Sequence, residues 1–128
     1  MTELTPALEM DLRLDTKHVT PELLNYIVEK IVRAVNPQKI ILFGSRARGD
    51  ATDDSDLDLF IVYEGERSIT EVRREVDLLL WGREFSLDLM VRTPEQVRLN
   101  LEDNNPFYAK HIFGYGKVLY ERRAEVTG

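Results

Sequence analysis

Three aspartates are the residues of this sequence whose type and spacing most clearly suggest chemistry. Asp56 and Asp58 lie two residues apart in the apolar run DLDLFIVYE, and Asp88 interrupts a second run, SLDLMV. Alternate residues of a β-strand point to one face, so Asp56 and Asp58 would project together, about 6.5 to 7 Å apart along the backbone. A carboxylate on a packed strand face destabilises the fold unless positive charge meets it. These acids therefore predict a bound cation.

The cation is predicted to be a metal ion with oxygen ligands. Three carboxylates that lie close together would have raised pKa values unless a cation kept them ionised. The sequence has no cysteine, and its two histidines, His18 and His111, lack ligand spacing. Magnesium takes oxygen ligands and shares them with substrate phosphates, and manganese is the alternative. We expect two ions about 3.5 to 4 Å apart, held by Asp56, Asp58 and Asp88.

The stretch FGSRARGD, which precedes these acids, predicts a seat for phosphates. A strand that ends in Gly44-Ser45 lets backbone N–H groups approach an anion, because glycine has no side chain in the way. The Ser45 hydroxyl adds a donor, and Arg46 adds positive charge beside it. Arg48 is expected to brace the acidic loop instead. Together with the metal ions, Gly44, Ser45 and Arg46 would bind a nucleoside triphosphate for in-line nucleotidyl transfer with loss of pyrophosphate.

Strands that alternate with amphipathic helices must position these residues. The sequence predicts strands over residues 39–43, 56–64, 84–93 and 117–121, and helices starting after Thr20, at Ser68, after Thr93 and after Asn105. The starts are indicated by capping residues and by prolines at the first helical position. This order predicts an α/β fold, a mixed β-sheet covered by helices, but it does not give the order of the strands.

The composition fits a globular protein and argues against several classes of partner. The chain has 128 residues, 43% of them hydrophobic and 31% charged. We expect a single domain over residues 20–128, preceded by a segment of uncertain structure over residues 1–19. The absence of a long apolar run or a signal core predicts a cytoplasmic protein without membrane contact. The net charge of −6 argues against direct nucleic-acid binding.

The segments GSRARGDATDDSDLDL and SLDLMV resemble the minimal nucleotidyltransferase (MNT) family of the DNA polymerase β superfamily. The hallmark of that family is Gly-Ser, ten residues, Asp-x-Asp, then an aspartate on a later strand, and residues 44–45, 56, 58 and 88 match it. The similarity extends over roughly residues 20 to 121 without a departure from the motif. It implies a polymerase β-like fold, metal binding by Asp56 and Asp58, a general base in Asp88, and contact of Ser45 with the triphosphate.

Short members of this family resemble the MntA-type antitoxins of HEPN/MNT toxin–antitoxin pairs. These use ATP to place AMP on a tyrosine of a HEPN-fold ribonuclease toxin and so neutralise it. The resemblance thus implies a protein adenylyltransferase with a HEPN toxin as its partner. Two alternatives stay open: transfer to a small-molecule hydroxyl such as that of an aminoglycoside, and a non-catalytic antitoxin that neutralises its toxin by occlusion.

Other polar and aromatic residues are interpreted as structural. Asp50, Asp53 and Asp54 lie in a polar loop and are expected to be solvated or to pair with Arg48. Three aromatic residues near the C-terminus fit either a partner-facing patch or core and rim packing, and the sequence does not choose between these; they are Tyr108, Phe113 and Tyr115.

Overall fold

The computed structural model describes residues 11 to 123, so the first ten residues of the predicted N-terminal segment lie outside it. In chain order the elements are a 3₁₀ turn (Leu12–Leu14), α1 (Pro21–Val35), β1 (Lys39–Phe43), α2 (Ser45–Arg48), β2 (Leu57–Val62), α3 (Ile69–Leu79), β3 (Leu87–Arg92), α4 (Pro94–Glu102), a π-helical segment (Phe107–Ile112) and β4 (Lys117–Glu121). The predicted strands and helices are all present, although β2 and β3 are shorter than predicted. None of the helices in this part of the chain is long and apolar enough to cross a bilayer.

The four strands form one mixed sheet in the order β3-β2-β1-β4. The central strand β1 is antiparallel to both β2 and β4, whereas β2 and β3 are parallel. A parallel pair needs a crossover connection, and α3 supplies it between β2 and β3. The α/β class and the mixed sheet predicted from the sequence are confirmed.

The back face of the sheet is covered by α1 and α3. Leu57, Leu59 and Ile61 of β2 are fully buried in this layer. The Thr20 hydroxyl accepts a hydrogen bond from the Leu23 N–H at 3.1 Å and so caps the start of α1. The helix buries one stripe against the sheet, made of Leu23, Ile27, Ile31 and Val35.

The front face is covered by the π-helical segment and α4. The alternate residues of β2, Phe60 and Val62, are buried here against Tyr108 and Ile112. The rings of Phe60 and Tyr108 meet edge to face with centroids 5.6 Å apart. Two residues before Phe60 on the same face, Asp58 is only half-buried. The candidate acids therefore lie where the front apolar layer ends.

Candidate active site

Asp58 and Asp88 lie side by side, at the same register position of the parallel strands β2 and β3. In-register neighbours point to the same face, so both carboxylates project from the front of the sheet. Asp56 comes directly before β2, two residues from Asp58. Asp56 and Asp88 are exposed and Asp58 is half-buried. The structure thus brings the three predicted acids together at one end of the strands.

The pKa of the Asp58 carboxyl is raised to about 6, first by burial and then by the negative charges of Asp88 and Asp56. The positive charges of Arg46 and Arg48 lower this pKa, but they only partly offset the increase. Asp58 therefore has an excess of negative charge around it at neutral pH. A divalent cation would stabilise the ionised form of such a group.

Gly44 makes room for the Asp58 carboxylate. The backbone of Gly44 has φ 75° and ψ −157°, a conformation that only glycine adopts readily. A β-carbon at this position would overlap Oδ2 of Asp58 and lie 2.9 Å from its Cγ. From the sequence, Gly44 is expected to let a phosphate approach the backbone. In the structure, the missing side chain of Gly44 also makes room for Asp58. Phe43, the residue before it, pairs with Asp58 across β1 and β2 and holds this contact in place.

Ser45 begins α2, a single helical turn that follows β1 directly. The Gly44 carbonyl accepts hydrogen bonds from the N–H groups of Ala47 and Arg48, both at 3.1 Å. The N–H groups of the first helical residues, Ser45 and Arg46, have no acceptor within the helix. Ser45 therefore presents a hydroxyl and a backbone donor next to the glycine that contacts Asp58.

Arg46 holds the loop between α2 and β2. Its Nη2 donates to the carbonyl oxygens of Thr52 at 3.3 Å and Ser55 at 2.9 Å. Its Nε is buried without a hydrogen-bond partner among residues 11–123. Arg48, expected to brace this loop, is exposed and lies 3.7 Å from Asp50. Arg46, and not Arg48, thus donates the hydrogen bonds to this loop. Nucleotide binding by Arg46 stays a prediction.

The remaining acids of the loop are solvated, as the sequence predicts. Asp50, Asp53 and Asp54 are all exposed. The Asp53 carboxylate lies 2.9 Å from Nδ1 of His18, and both side chains are well exposed. Exposed pairs of this kind contribute little to stability.

The candidate donors are carboxylate oxygens, the ligand type that a hard divalent metal ion prefers. Within the described residues, no three carboxylate or imidazole side chains already stand in a metal-binding arrangement. Ionised carboxylates repel one another, so a compact ligand set needs the cation itself. Three features suit such an ion: oxygen donors from Asp56, Asp58 and Asp88, the space that Gly44 leaves beside Asp58, and the pKa of Asp58, which is raised by burial and then by the neighbouring negative charges. These three aspartates are the residues that would hold it.

A cleft of about 330 Å³ lies beside α2 on the other side of the sheet. Its wall is formed by the start of α1, by Leu42 of β1, by Arg46 and by Lys117 and Leu119 of β4. Asp56, Asp58 and Asp88 do not line it. The cleft is therefore separate from the acids, and Arg46 is the residue that the two regions share.

A row of exposed aromatic rings was not predicted from the sequence. The rings of Phe107, His111 and Tyr115 follow one another with centroids 6.1 and 6.5 Å apart. Their spacing of four residues is the signal that could have indicated it. Of the aromatic residues considered from the sequence, Tyr108 is buried, Phe113 is half-buried, and Tyr115 is exposed.

The helix-covered mixed sheet is that of the polymerase β-like nucleotidyltransferases, as the sequence resemblance implies. A family model described as "Polymerase beta, Nucleotidyltransferase" matches residues 25–125. The chain belongs to this nucleotidyltransferase family. A search of curated proteins finds no match.

Several solved structures resemble the chain. A Sulfolobus solfataricus protein described as a nucleotidyltransferase is 22% identical with a TM-score of 0.50, over 95% of this chain and 93% of its own. At this identity the likeness concerns the fold alone. A chain from a toxin–antitoxin structure with AMP-PNP is 19% identical with a TM-score of 0.48, and one from a mutant toxin–antitoxin MntA–HpeT is 17% identical with a TM-score of 0.49. Each match covers 77% of this chain and 74% of the other chain.

Proposed function

We propose that the protein is a magnesium-dependent nucleotidyltransferase that transfers AMP from ATP to a hydroxyl group. The observation that carries the proposal is the in-register pair of Asp58 and Asp88, with Gly44 and Ser45 at the adjacent end of β1. Acids that could hold divalent metal ions next to a turn that could bind phosphates suit in-line nucleotidyl transfer. Membership of the nucleotidyltransferase family supports this reaction.

Each residue of the site has a separate task in the proposed reaction. Asp56, Asp58 and Asp88 would hold magnesium, which would neutralise charge on the phosphates and activate the attacking hydroxyl. The Ser45 hydroxyl and the first N–H groups of α2 orient the triphosphate. Asp88 takes the proton of the acceptor hydroxyl while the oxygen of that hydroxyl forms a bond to the α-phosphorus of ATP. The bond from that phosphorus to the bridging oxygen breaks, and pyrophosphate leaves with the electron pair.

We propose that the acceptor is a tyrosine of a HEPN-fold toxin. Asp88 lies on β3, which is an edge strand of the sheet, and its side chain is exposed. A general base in this position faces open solvent, so an acceptor as large as a folded protein can reach it. The HEPN identity of that protein rests on the sequence resemblance.

The test is transfer of label to the toxin. The purified protein is incubated with magnesium, ATP labelled at the α-phosphate and a co-expressed HEPN toxin. We expect label on the toxin, none with a chelator, and a loss of at least about 100-fold for Asp58→Asn. Asp54→Asn is the matched control, because it makes the same change in an exposed loop residue and should retain transfer.

Two results distinguish the alternatives. If folded protein transfers no label to the toxin but does transfer it to an aminoglycoside, the acceptor is a small molecule. If Asp58→Asn still neutralises the toxin in a ribonuclease assay, neutralisation is by occlusion. The proposed function requires that transfer and neutralisation are lost together.

A further inference from the structure

The aromatic row consists of Phe107, His111 and Tyr115 and lies along the π-helical segment and the turn that follows it. Neighbouring rings are tilted by 38° and 44° to one another. Phe107 is 36% exposed and Tyr115 is 53% exposed. Exposed rings in series offer a surface on which a planar ligand can stack.

The aromatic row begins at the candidate active site. The ring of Phe107 packs edge-on against Phe43 with centroids 5.8 Å apart. Phe43 in turn pairs with Asp58 across β1 and β2, and it is separated from Ser45 by one residue. Asp88 lies on the other side of Asp58, on β3. The row and Asp88 therefore lie on opposite sides of Asp58.

We propose that the aromatic row is the stacking surface for the purine base of the nucleoside triphosphate. The inference rests on the proposed function and adds the substrate's base to it. The phosphates occupy the region of Ser45 and the acids, and the attacking hydroxyl approaches from the side of Asp88. The nucleoside then lies on the side of β1, where Phe107 packs against Phe43. Because a purine covers more ring surface than a pyrimidine, ATP and GTP bind more tightly than CTP and UTP.

The rings of the aromatic row are better placed to stack on a base than to pack in the core. Tyr108 and Ile112, on the same segment, already fill the front apolar layer, so the rings of His111 and Tyr115 are not needed there. Base–aromatic stacking is sequence-tolerant and depends on ring faces rather than on hydrogen bonds. The aromatic row places exposed aromatic residues next to a site whose acids and Gly-Ser turn suit the phosphate end of the same ligand.

The test compares a ligand that has a base with one that has none. Calorimetry measures the affinity for ATP and for inorganic tripolyphosphate, each with magnesium and without an acceptor. Phe107→Leu and Tyr115→Leu remove a ring but keep an apolar side chain, and we expect each to weaken ATP binding by about 10-fold. Binding of tripolyphosphate should be unchanged, which also shows that the fold is intact.

Matched variants separate the loss of a ring from other effects. Phe107→Tyr and Tyr115→Phe keep the rings and should bind ATP as the unchanged protein does. Leu101→Ala removes an exposed apolar side chain beside Lys39 and Val62, at the opposite end of β1, and should have no effect.

The outcomes also separate this inference from the proposed function. Equal affinity of the unchanged protein for ATP and tripolyphosphate would overturn the stacking surface and leave nucleotidyl transfer standing. If neither leucine variant changes the affinity for ATP, the stacking surface is likewise overturned, and the cleft beside Arg46 becomes the alternative site for the base. Failure of the unchanged protein to bind either ligand with magnesium would overturn both.

Discussion

The Asp58 carboxylate fills the space in which a side chain on Gly44 would begin. A β-carbon there would lie 2.9 Å from Asp58 Cγ and closer still to Oδ2. The two motifs of the site are thus in direct contact: the glycine of Gly-Ser has no side chain, and the second acid of Asp-x-Asp fills that space. Any change at residue 44 must move the carboxylate, the end of β1, or both.

Gly44→Ala should destabilise the protein and disturb the site. The backbone at φ 75° is strained for alanine, and the methyl group overlaps the Asp58 carboxylate. We expect a loss of about 2 to 4 kcal/mol in the free energy of unfolding, measured by urea denaturation with chelator present.

Gly49→Ala tests a positive φ, in the left-handed helical region, without a steric overlap. Gly49 also has a positive φ, 88°, but a β-carbon there meets nothing within 4 Å. This variant should lose only about 1 kcal/mol. Equal losses for the two variants would show that the contact with Asp58 has no energetic weight.

The elements were predictable because their signals are local. The hydroxyl of Thr20 and the ring of Pro21 start α1, and the apolar run KIILF gives β1 its observed bounds. The Gly44–Asp58 contact was not predictable, because it depends on the pairing of β1 with β2. Sheet order and register are non-local, and a pattern of alternating residues does not specify which strands become neighbours.

Within the site, residue types were easier to predict than partners. The shared face of Asp58 and Asp88 was inferred from their placement, but their common register depends on the α3 crossover. Arg46 and Arg48 have the same charge, and residues two apart on a helical turn point in different directions. The sequence gives no reason why Arg46, and not Arg48, turns toward the Thr52 and Ser55 carbonyls.

Asp58→Asn should stabilise the metal-free protein at neutral pH. The folded-state pKa of Asp58 is about 6, against 3.8 for an ordinary aspartate. The folded protein therefore holds this proton more tightly, and its stability falls as pH rises from about 4 to about 6. Asparagine does not titrate, so the variant avoids this loss.

The gain is measured as the difference in unfolding free energy between Asp58→Asn and the unchanged protein. Because Asp58 is only partly buried and solvent screens its charge, we expect about 1 to 2 kcal/mol at pH 7.5. The difference should be smaller at pH 4, where the wild-type carboxyl is protonated in the folded state. Asp54→Asn should show no such trend, and a pH-independent gain for Asp58→Asn would contradict the assignment.

Magnesium should stabilise the protein in a pH-dependent way. At pH 7.5 the Asp58 carboxylate is ionised, and magnesium at about ten times its dissociation constant should add about 1.4 kcal/mol. At pH 5 the ion must displace a proton from Asp58, so the increase in melting temperature should be smaller. Thermal unfolding with and without magnesium measures this shift. A shift that is the same at both pH values, or that persists in Asp58→Asn, would exclude Asp58 as a ligand.

Arg46→Met should loosen the loop between α2 and β2. The variant removes the donor to the Thr52 and Ser55 carbonyls and keeps an apolar stem, and we expect a loss of about 1 to 3 kcal/mol. Hydrogen exchange should become faster at the amide of Thr52, which donates to the Ser55 hydroxyl.

Arg48→Met is the matched control, because it removes the same charge from the same helical turn but leaves both hydrogen bonds. Both arginines lower the pKa of Asp58, so both variants should raise it. Only Arg46→Met should also change exchange in the loop, and equal exchange in the two variants would mean that charge, and not the hydrogen bonds, orders this segment.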